Sequence, residues 1–215
     1  DQFLAFGKYT KAFNNEIISS GYSRQFQWRN ALSGNSSFSA GTNYLLNVRE
    51  NLIGTSDIYN NSELISDKES GMYLPLGSIP YSIGARFDSS FYFDGKVMEV
   101  ISYSERNSDT EKSKIESYLA VKYGITLGSS TNPVDYKSTN NSTIWAGDSD
   151  YQNDVIGIGR DDAEVLEQKQ SRSADDTTRI YLDILAATNA ANAGAFSSDI
   201  SYLLAGHNNG AMHST

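Results

Sequence analysis

The sequence predicts an all-β chain: an antiparallel jelly-roll sandwich braced by one helix and followed by a second, smaller β-sandwich-like domain. Short stretches rich in aromatic and β-branched residues recur between clusters of Gly, Asn and Ser, which is the spacing of antiparallel strands joined by turns. Helical periodicity is clearest at residues 107–124, and the Ala- and Asn-rich stretch 186–195 is either a loop or one weak helical turn. No apolar run approaches the roughly 20 residues that span a bilayer, so we expect no membrane insertion.

The first part of the chain contains short candidate strands. The stretch 24–28 shows the pattern most clearly, because Phe26 and Trp28 alternate with polar residues, as in a strand with one face in water. Asp94 and Gly95 follow an apolar run and form the residue pair that a tight turn with positive φ favours. The candidate strands before the helix are 3–6, 16–19, 24–28, 44–49, 56–59, 82–86 and 96–103.

The helix is predicted from its two ends as well as its periodicity. Ser108 and Glu111 have the spacing of a capping box. Gly124 is placed to end the helix in the left-handed conformation, so we expect it to have a positive φ. The apolar stripe is narrow, and we expect it to brace the sheet of the first domain. Its members are Ile115, Tyr118 and Leu119.

Residues 126–142 have the Gly, Ser, Thr and Asn composition of a linker. A second series of candidate strands follows, at 143–146, 154–160, 164–170, 179–185 and 202–205. Gly157 and Gly159 within the apolar strand 154–160 indicate close backbone approach. The predicted organisation is therefore a first domain at 1–125, a linker at 126–142 and a second β-rich domain at 143–215.

Composition excludes several classes of function. The 17 Lys and Arg residues against 26 Asp and Glu residues give a formal net charge of −9, which opposes binding to a phosphate backbone. We expect no nucleic acid partner. The chain has no cysteine and only two histidines, His207 and His213, so it lacks thiol nucleophiles and Cys-ligated metal sites. We predict His207 to be an exposed loop residue.

The carboxylates of the second domain suggest one metal. Asp148, Asp150 and Asp154 fall within seven residues on an irregular stretch, and alternating oxygen ligands suit the six-to-eight-coordinate Ca²⁺ ion. Asp161 and Asp162 are candidate additional donors. The spacing lacks the glycine and the distal glutamate of an EF-hand, so a solvated acidic turn is the alternative. No cofactor is required, and Ca²⁺ is the candidate ion.

One aromatic cluster is a candidate ligand-binding site. Carbohydrate binding uses exposed aromatic rings beside side chains that hydrogen-bond to hydroxyl groups. Trp28 is the candidate ring, and its neighbours Tyr22, Arg24 and Arg29 complete the cluster. Aromatic residues of a sandwich more often lie in the core, which is the alternative interpretation.

The patterns of two enzyme classes are missing. Retaining glycosidases need two carboxyl groups about 5 to 5.5 Å apart. Glu99 and Glu105 flank the last strand before the helix, at a separation of about 20 Å in extended chain. The Gly-x-Ser-x-Gly motif of serine hydrolases does not occur. We therefore expect no catalytic residues and no enzymatic activity.

Two segments carry a resemblance to known families. Residues 93–127, FDGKVMEVISYSERNSDTEKSKIESYLAVKYGITL, resemble the C-terminal end of LamG-like (concanavalin A-like) jelly-roll domains of large secreted Bacteroidetes proteins. Residues 143–171, TIWAGDSDYQNDVIGIGRDDAEVLEQKQS, resemble the uncharacterised β-rich domain that follows LamG in those proteins. The part before the helix is shorter than such a jelly roll, and the second domain is also short, so we expect strands of both domains to lie outside this sequence.

The resemblance implies a location and a role. We expect a non-catalytic, extracellular or cell-surface segment of a large bacterial protein that acts in adhesion or as a spacer. The expected partners are other domains of the same chain, and glycans or other surface proteins. The alternative is a carbohydrate-binding accessory module of a secreted polysaccharide-degrading enzyme.

Overall fold

The computed structural model describes residues 2–6, 42–50, 55–70, 83, 95–173 and 178–210. It divides the chain into two compact units, one of residues 1–60 and 64–106 and the other of residues 61–63 and 107–215. The predicted strands 16–19 and 24–28, most of 82–86 and the turn residue Asp94 lie outside the described residues.

The first unit contains a five-stranded sheet. Its strands are β1 (Gln2–Phe6), β2 (Tyr44–Glu50), β3 (Thr55–Asn60), β4 (Glu63–Ser70) and β5 (Val97–Ser102), in the order β4-β3-β2-β1-β5. β1 pairs antiparallel with both β2 and β5, and β2 pairs antiparallel with β3. Leu45 and Leu46 point to opposite faces of β2, yet both are almost fully buried. Because both faces are covered, the strand is compatible with a β-sandwich.

Of the hairpin formed by β3 and β4, the sequence predicted only β3. Its two-residue loop, Asn61 and Ser62, has positive φ at both positions (47° and 71°), as the favoured hairpin turns require. The predicted strand 56–59 corresponds to β3. The prediction missed β4, because apart from Leu64 and Ile65 this strand is polar and charged.

The helix α1 (Asp109–Tyr123) is capped as predicted. The Ser108 hydroxyl accepts a hydrogen bond from the Glu111 amide at 3.2 Å, and the Ser108 amide donates to Glu111 Oε2 at 2.7 Å. Gly124 has φ of 64°, and a Cβ there would collide with the carbonyl oxygen of Arg172. Both predicted helix signals are confirmed.

The helix lies in a different place from the one predicted. It packs on strands of the second unit, chiefly β8 (Tyr136–Lys137) and β10 (Asn153–Asp161). Leu119 is buried there, and the Ser117 hydroxyl accepts a hydrogen bond from the Lys137 amide at 2.8 Å. The helix therefore belongs to the second unit, and the expectation that it braces the first domain's sheet is wrong.

The segment 126–142 is part of the second unit and not a linker. It forms two short antiparallel pairs, β6 (Gly128–Ser129) with β7 (Asn132–Pro133) and β8 with β9 (Thr143–Trp145). Buried Tyr136 anchors it, because its hydroxyl accepts a hydrogen bond from the Leu127 amide at 2.7 Å. Gly, Ser, Thr and Asn serve tight turns as well as linkers, so composition alone did not distinguish the two.

The central sheet of the second unit has the order β11-β10-β14, with β11 at Leu166–Gln168 and β14 at Ser201–His207. Both pairings are antiparallel. The side chains of Leu204 and Tyr202 of β14 lie over Gly157 and Gly159 of β10, so these glycines make room for side chains and not, as predicted, for a closely approaching backbone. The predicted strand 164–170 is not continuous. It covers the end of a 3-10 turn (Asp162–Glu164), then β11, then the start of β12 (Gln170–Arg172). β12 pairs with β13 (Arg179–Tyr181).

Candidate functional site

The predicted aromatic site belongs to the first part of the chain. Tyr22, Arg24, Trp28 and Arg29 all lie outside the described residues. The carbohydrate-binding role of this cluster stays a prediction.

The five predicted calcium ligands are distributed over different hydrogen-bond networks. Asp148 Oδ1 accepts a hydrogen bond from the Asp150 amide at 2.8 Å, which orders an exposed turn. Asp154 instead contacts His207 and Ser173. The structure therefore separates the roles of these three residues.

The other two candidate ligands also have protein partners. Asp162 forms a bidentate ion pair with Arg160, with two N–O distances of 2.8 Å. Asp161 is buried and accepts hydrogen bonds from Thr139 and Tyr202. Among the residues that the structure describes, no group of three or more Asp, Glu or His side chains is placed to hold a metal ion.

The most unusual electrostatics of the described residues occur around Asp161, at the end of β10. We call Asp161, Thr139, Glu164 and Tyr202 the Asp161 cluster. Asp161 Oδ1 accepts from the Thr139 hydroxyl at 2.6 Å, and Oδ2 accepts from the Thr139 amide and the Tyr202 hydroxyl, both at 3.0 Å. A carboxylate that accepts three hydrogen bonds and donates none has the contacts of the ionised form.

Glu164 lies beside this buried carboxylate, in the 3-10 turn. Burial of the Glu164 side chain and, next, the charge of Asp161 raise its pKa to about 8, against the opposing effect of Lys114. A pKa of about 8, against the ordinary 4.5, means that Glu164 is mostly protonated at neutral pH. A buried carboxylate and a neutral carboxylic acid are thus neighbours.

Tyr202 completes the cluster from β14. Its ring covers Gly159, and its hydroxyl reaches Asp161. Burial and, next, the charge of Asp161 raise the pKa of Tyr202. Tyr202 therefore remains a hydrogen-bond donor over the physiological pH range.

Two neighbouring carboxyl groups in different environments are a common basis of acid–base catalysis. Here the carboxylate is fully buried, and three protein donors occupy its oxygens. A substrate would have to displace those donors to reach it. The hydrogen bonds of Asp161 hold β10, β14 and residue 139 together. The raised pKa of Glu164 keeps that side chain mostly protonated at neutral pH.

A second polar cluster joins the start of β10 to the end of β14. His207 Nε2 lies 2.7 Å from Asp154 Oδ2, and the Ser173 hydroxyl donates to Asp154 Oδ1 at 2.9 Å. His207 Nδ1 accepts a hydrogen bond from the Asn209 amide at 3.0 Å, so in the neutral ring Nε2 carries the proton. His207 is the last residue of β14, and the prediction of an exposed loop histidine is wrong.

This second cluster contains Ser, His and Asp, but the hydrogen bonds between them are not those of a catalytic triad. In a triad the histidine receives the serine proton. Ser173 instead donates to the aspartate, and the second ring nitrogen of His207 is engaged by a backbone amide. The contacts tie strand ends together and do not activate the serine.

Buried amide side chains hold the irregular segments of the second unit, and the sequence analysis did not single them out. Gln152 donates to the carbonyl oxygens of Leu127 and Val134 at 2.7 and 3.2 Å, and its Oε1 accepts from Trp145 Nε1 at 2.9 Å. Asn192 donates to the carbonyl oxygens of Leu182 and Ile184. Glutamine and asparagine within loops give no periodic signal, so only the folded structure shows this role.

One comparison with known proteins gives a match. Residues 111–215 match a family model described as a domain of unknown function, DUF8202. The matched region begins inside α1, in agreement with the placement of the helix in the second unit. No curated protein and no solved structure matches the chain. Within the described residues, no helix is long and apolar enough to cross a membrane.

Proposed function

We propose that the chain is a non-catalytic segment of a large secreted or cell-surface bacterial protein, where it acts in adhesion or as a spacer. The observation that carries this proposal is the use of the reactive side chains in the second unit. Asp154, Asp161 and His207 are each held by neighbouring protein groups that join strand ends. Contacts of this kind support a structural role for these side chains.

The sequence adds support of a different kind. The composition, with many Tyr, Gly, Ser and Asn residues and no Cys, is typical of extracellular bacterial β-proteins, and residues 93–127 resemble the end of a LamG-like domain. The partners in this role are the neighbouring domains of the same chain and surface glycans or proteins. The alternative, a carbohydrate-binding accessory module of a polysaccharide-degrading enzyme, also leaves the chain without a catalytic role.

A turnover assay tests the proposal. The purified chain is incubated with laminarin, xylan, chitin and a chromogenic ester, in parallel with the variants Glu164→Gln and His207→Gln. Glu164→Gln keeps the size of the side chain and its neutral state, so loss of folding does not confound the comparison. We expect no product from any of the three proteins. Product from the wild-type chain that is absent with either variant would overturn the proposal.

A further inference from the structure

The indole ring of Trp145 and the backbone carbonyl group of Tyr151 both lie close to Gly206, near the end of β14. Trp145 is the last residue of β9, and two atoms of its ring lie 3.0 and 3.1 Å from the position of a Cβ on Gly206. That Cβ would also collide with the carbonyl oxygen of Tyr151. Only glycine allows the Trp145 ring and the Tyr151 carbonyl group to approach the strand this closely.

The indole of Trp145 is fixed in place. Its Nε1 donates to Gln152 Oε1 at 2.9 Å, and Gln152 is buried and anchored to the Leu127 carbonyl oxygen at 2.7 Å. A ring held in this way loses little conformational entropy when a ligand contacts it.

The turn that follows Trp145 carries an exposed tyrosine and two exposed carboxylates. Tyr151 is 49% exposed and Trp145 is partly exposed. Asp148 and Asp150 lie in the turn just before Tyr151, both exposed, and the Asp148 side chain orders that turn. In the part of the chain that the structure describes, neither carboxylate forms an ion pair with a Lys, Arg or His side chain.

These groups match one class of ligand. The C–H face of a pyranose ring packs on aromatic side chains, and carboxylates accept hydrogen bonds from sugar hydroxyl groups. Two exposed carboxylates repel anionic sugars. We propose that Trp145, Tyr151, Asp148 and Asp150 form a binding site for a neutral polysaccharide. This inference rests on the proposed non-catalytic role, for which it supplies the class of ligand.

The test is binding of the purified chain to neutral glucans, xylans and mannans, and to alginate and a sulfated glycan as anionic comparisons, by affinity electrophoresis and calorimetry. We expect saturable binding to a neutral polysaccharide only. Tyr151→Ala and Asp150→Asn change exposed side chains and should each weaken this binding at least about tenfold, as interface truncations of aromatic anchors do. Trp145→Ala should abolish it. Tyr181→Ala, a tyrosine that is 46% exposed on β13, is the matched control and should bind normally.

The outcomes separate this inference from the function proposed above. No saturable binding, or binding that Tyr151→Ala and Asp150→Asn leave unchanged, would overturn the site. Loss of binding in Trp28→Ala alone would move it to the aromatic cluster predicted from the sequence. Release of sugar by the wild-type chain that Glu164→Gln or His207→Gln abolishes would overturn the non-catalytic role, whatever the binding result.

Discussion

Glu164 should make the second unit less stable as the pH rises. Its pKa in the folded chain is about 8, against 4.5 for an ordinary glutamate. The folded state therefore binds the Glu164 proton more tightly than the unfolded state does. The stabilisation is fully present below about pH 4.5, decreases as the pH rises, and is lost above about pH 8.

The size of the effect follows from the same two pKa values. Each pH unit between them corresponds to 1.36 kcal/mol, so the free energy of unfolding changes by at most about 5 kcal/mol. Glu164 is only partly buried, and solvent screening reduces this limit. We expect a decrease of roughly 2 kcal/mol between pH 5 and pH 9.

Glu164→Gln isolates this contribution. The amide cannot ionise, so the variant should be as stable as the wild-type chain at pH 5 and about 2 kcal/mol more stable at pH 9. Glu167→Gln is the control, because Glu167 is exposed on β11, and it should change stability by less than about 0.5 kcal/mol at both pH values. The lowered pKa values of Asp135 and Asp162 act below pH 4, outside this window.

The measurement needs a probe that reports on the second unit alone. The chain has two tryptophans, and Trp28→Phe leaves Trp145 as the single one. Urea unfolding followed by Trp145 fluorescence then gives the free energy at each pH. If the stability difference between the wild-type chain and the Glu164→Gln variant were the same at pH 5 and pH 9, the reasoning would be refuted.

Three further substitutions test the packing of the second unit in the same assay. Gln152→Leu should cost about 3 kcal/mol, because it leaves buried carbonyl groups without donors, and an equally stable variant would contradict this. Leu119→Ala should cost about 2 to 4 kcal/mol, since the side chain is fully buried, and a cost below about 1 kcal/mol would contradict the packing of α1. Val165→Gly should stabilise by about 1 kcal/mol, because Val165 has φ of 54° and is 90% exposed, and a destabilised variant would show that this side chain makes contacts.

The sequence predicted what local chemistry determines. The capping box at Ser108 and the left-handed Gly124 depend on residues a few positions apart, and both are present. Strands with strong apolar character, such as β2 and β10, were also predicted within a residue or two of their ends. The partner of the helix was not predictable, because its buried face includes polar Glu116 and Ser117 and gives no indication of which sheet will cover it.

The sequence predicted which carboxylates are candidate site residues but not which groups they contact. Asp148, Asp154 and Asp161 are close in sequence, and this suggested a shared cation. Asp161 and Asp154 instead contact Tyr202 and His207 of β14, more than 40 residues later. Pairings at that distance depend on the strand order, which a single sequence does not specify.

Hydrogen bonds that order the loops of the second unit affect how strongly its surface can bind a ligand. Exposed loops ordinarily lose conformational entropy when they bind a ligand, and this weakens the interaction. In this unit Gln152 attaches Trp145 to the carbonyl oxygens of Leu127 and Val134, so the indole ring beside Gly206 is ordered before any ligand binds. Gln152→Leu should therefore weaken polysaccharide binding even at temperatures where the variant is fully folded. This reduction would distinguish an ordered binding surface from an accidental aromatic patch.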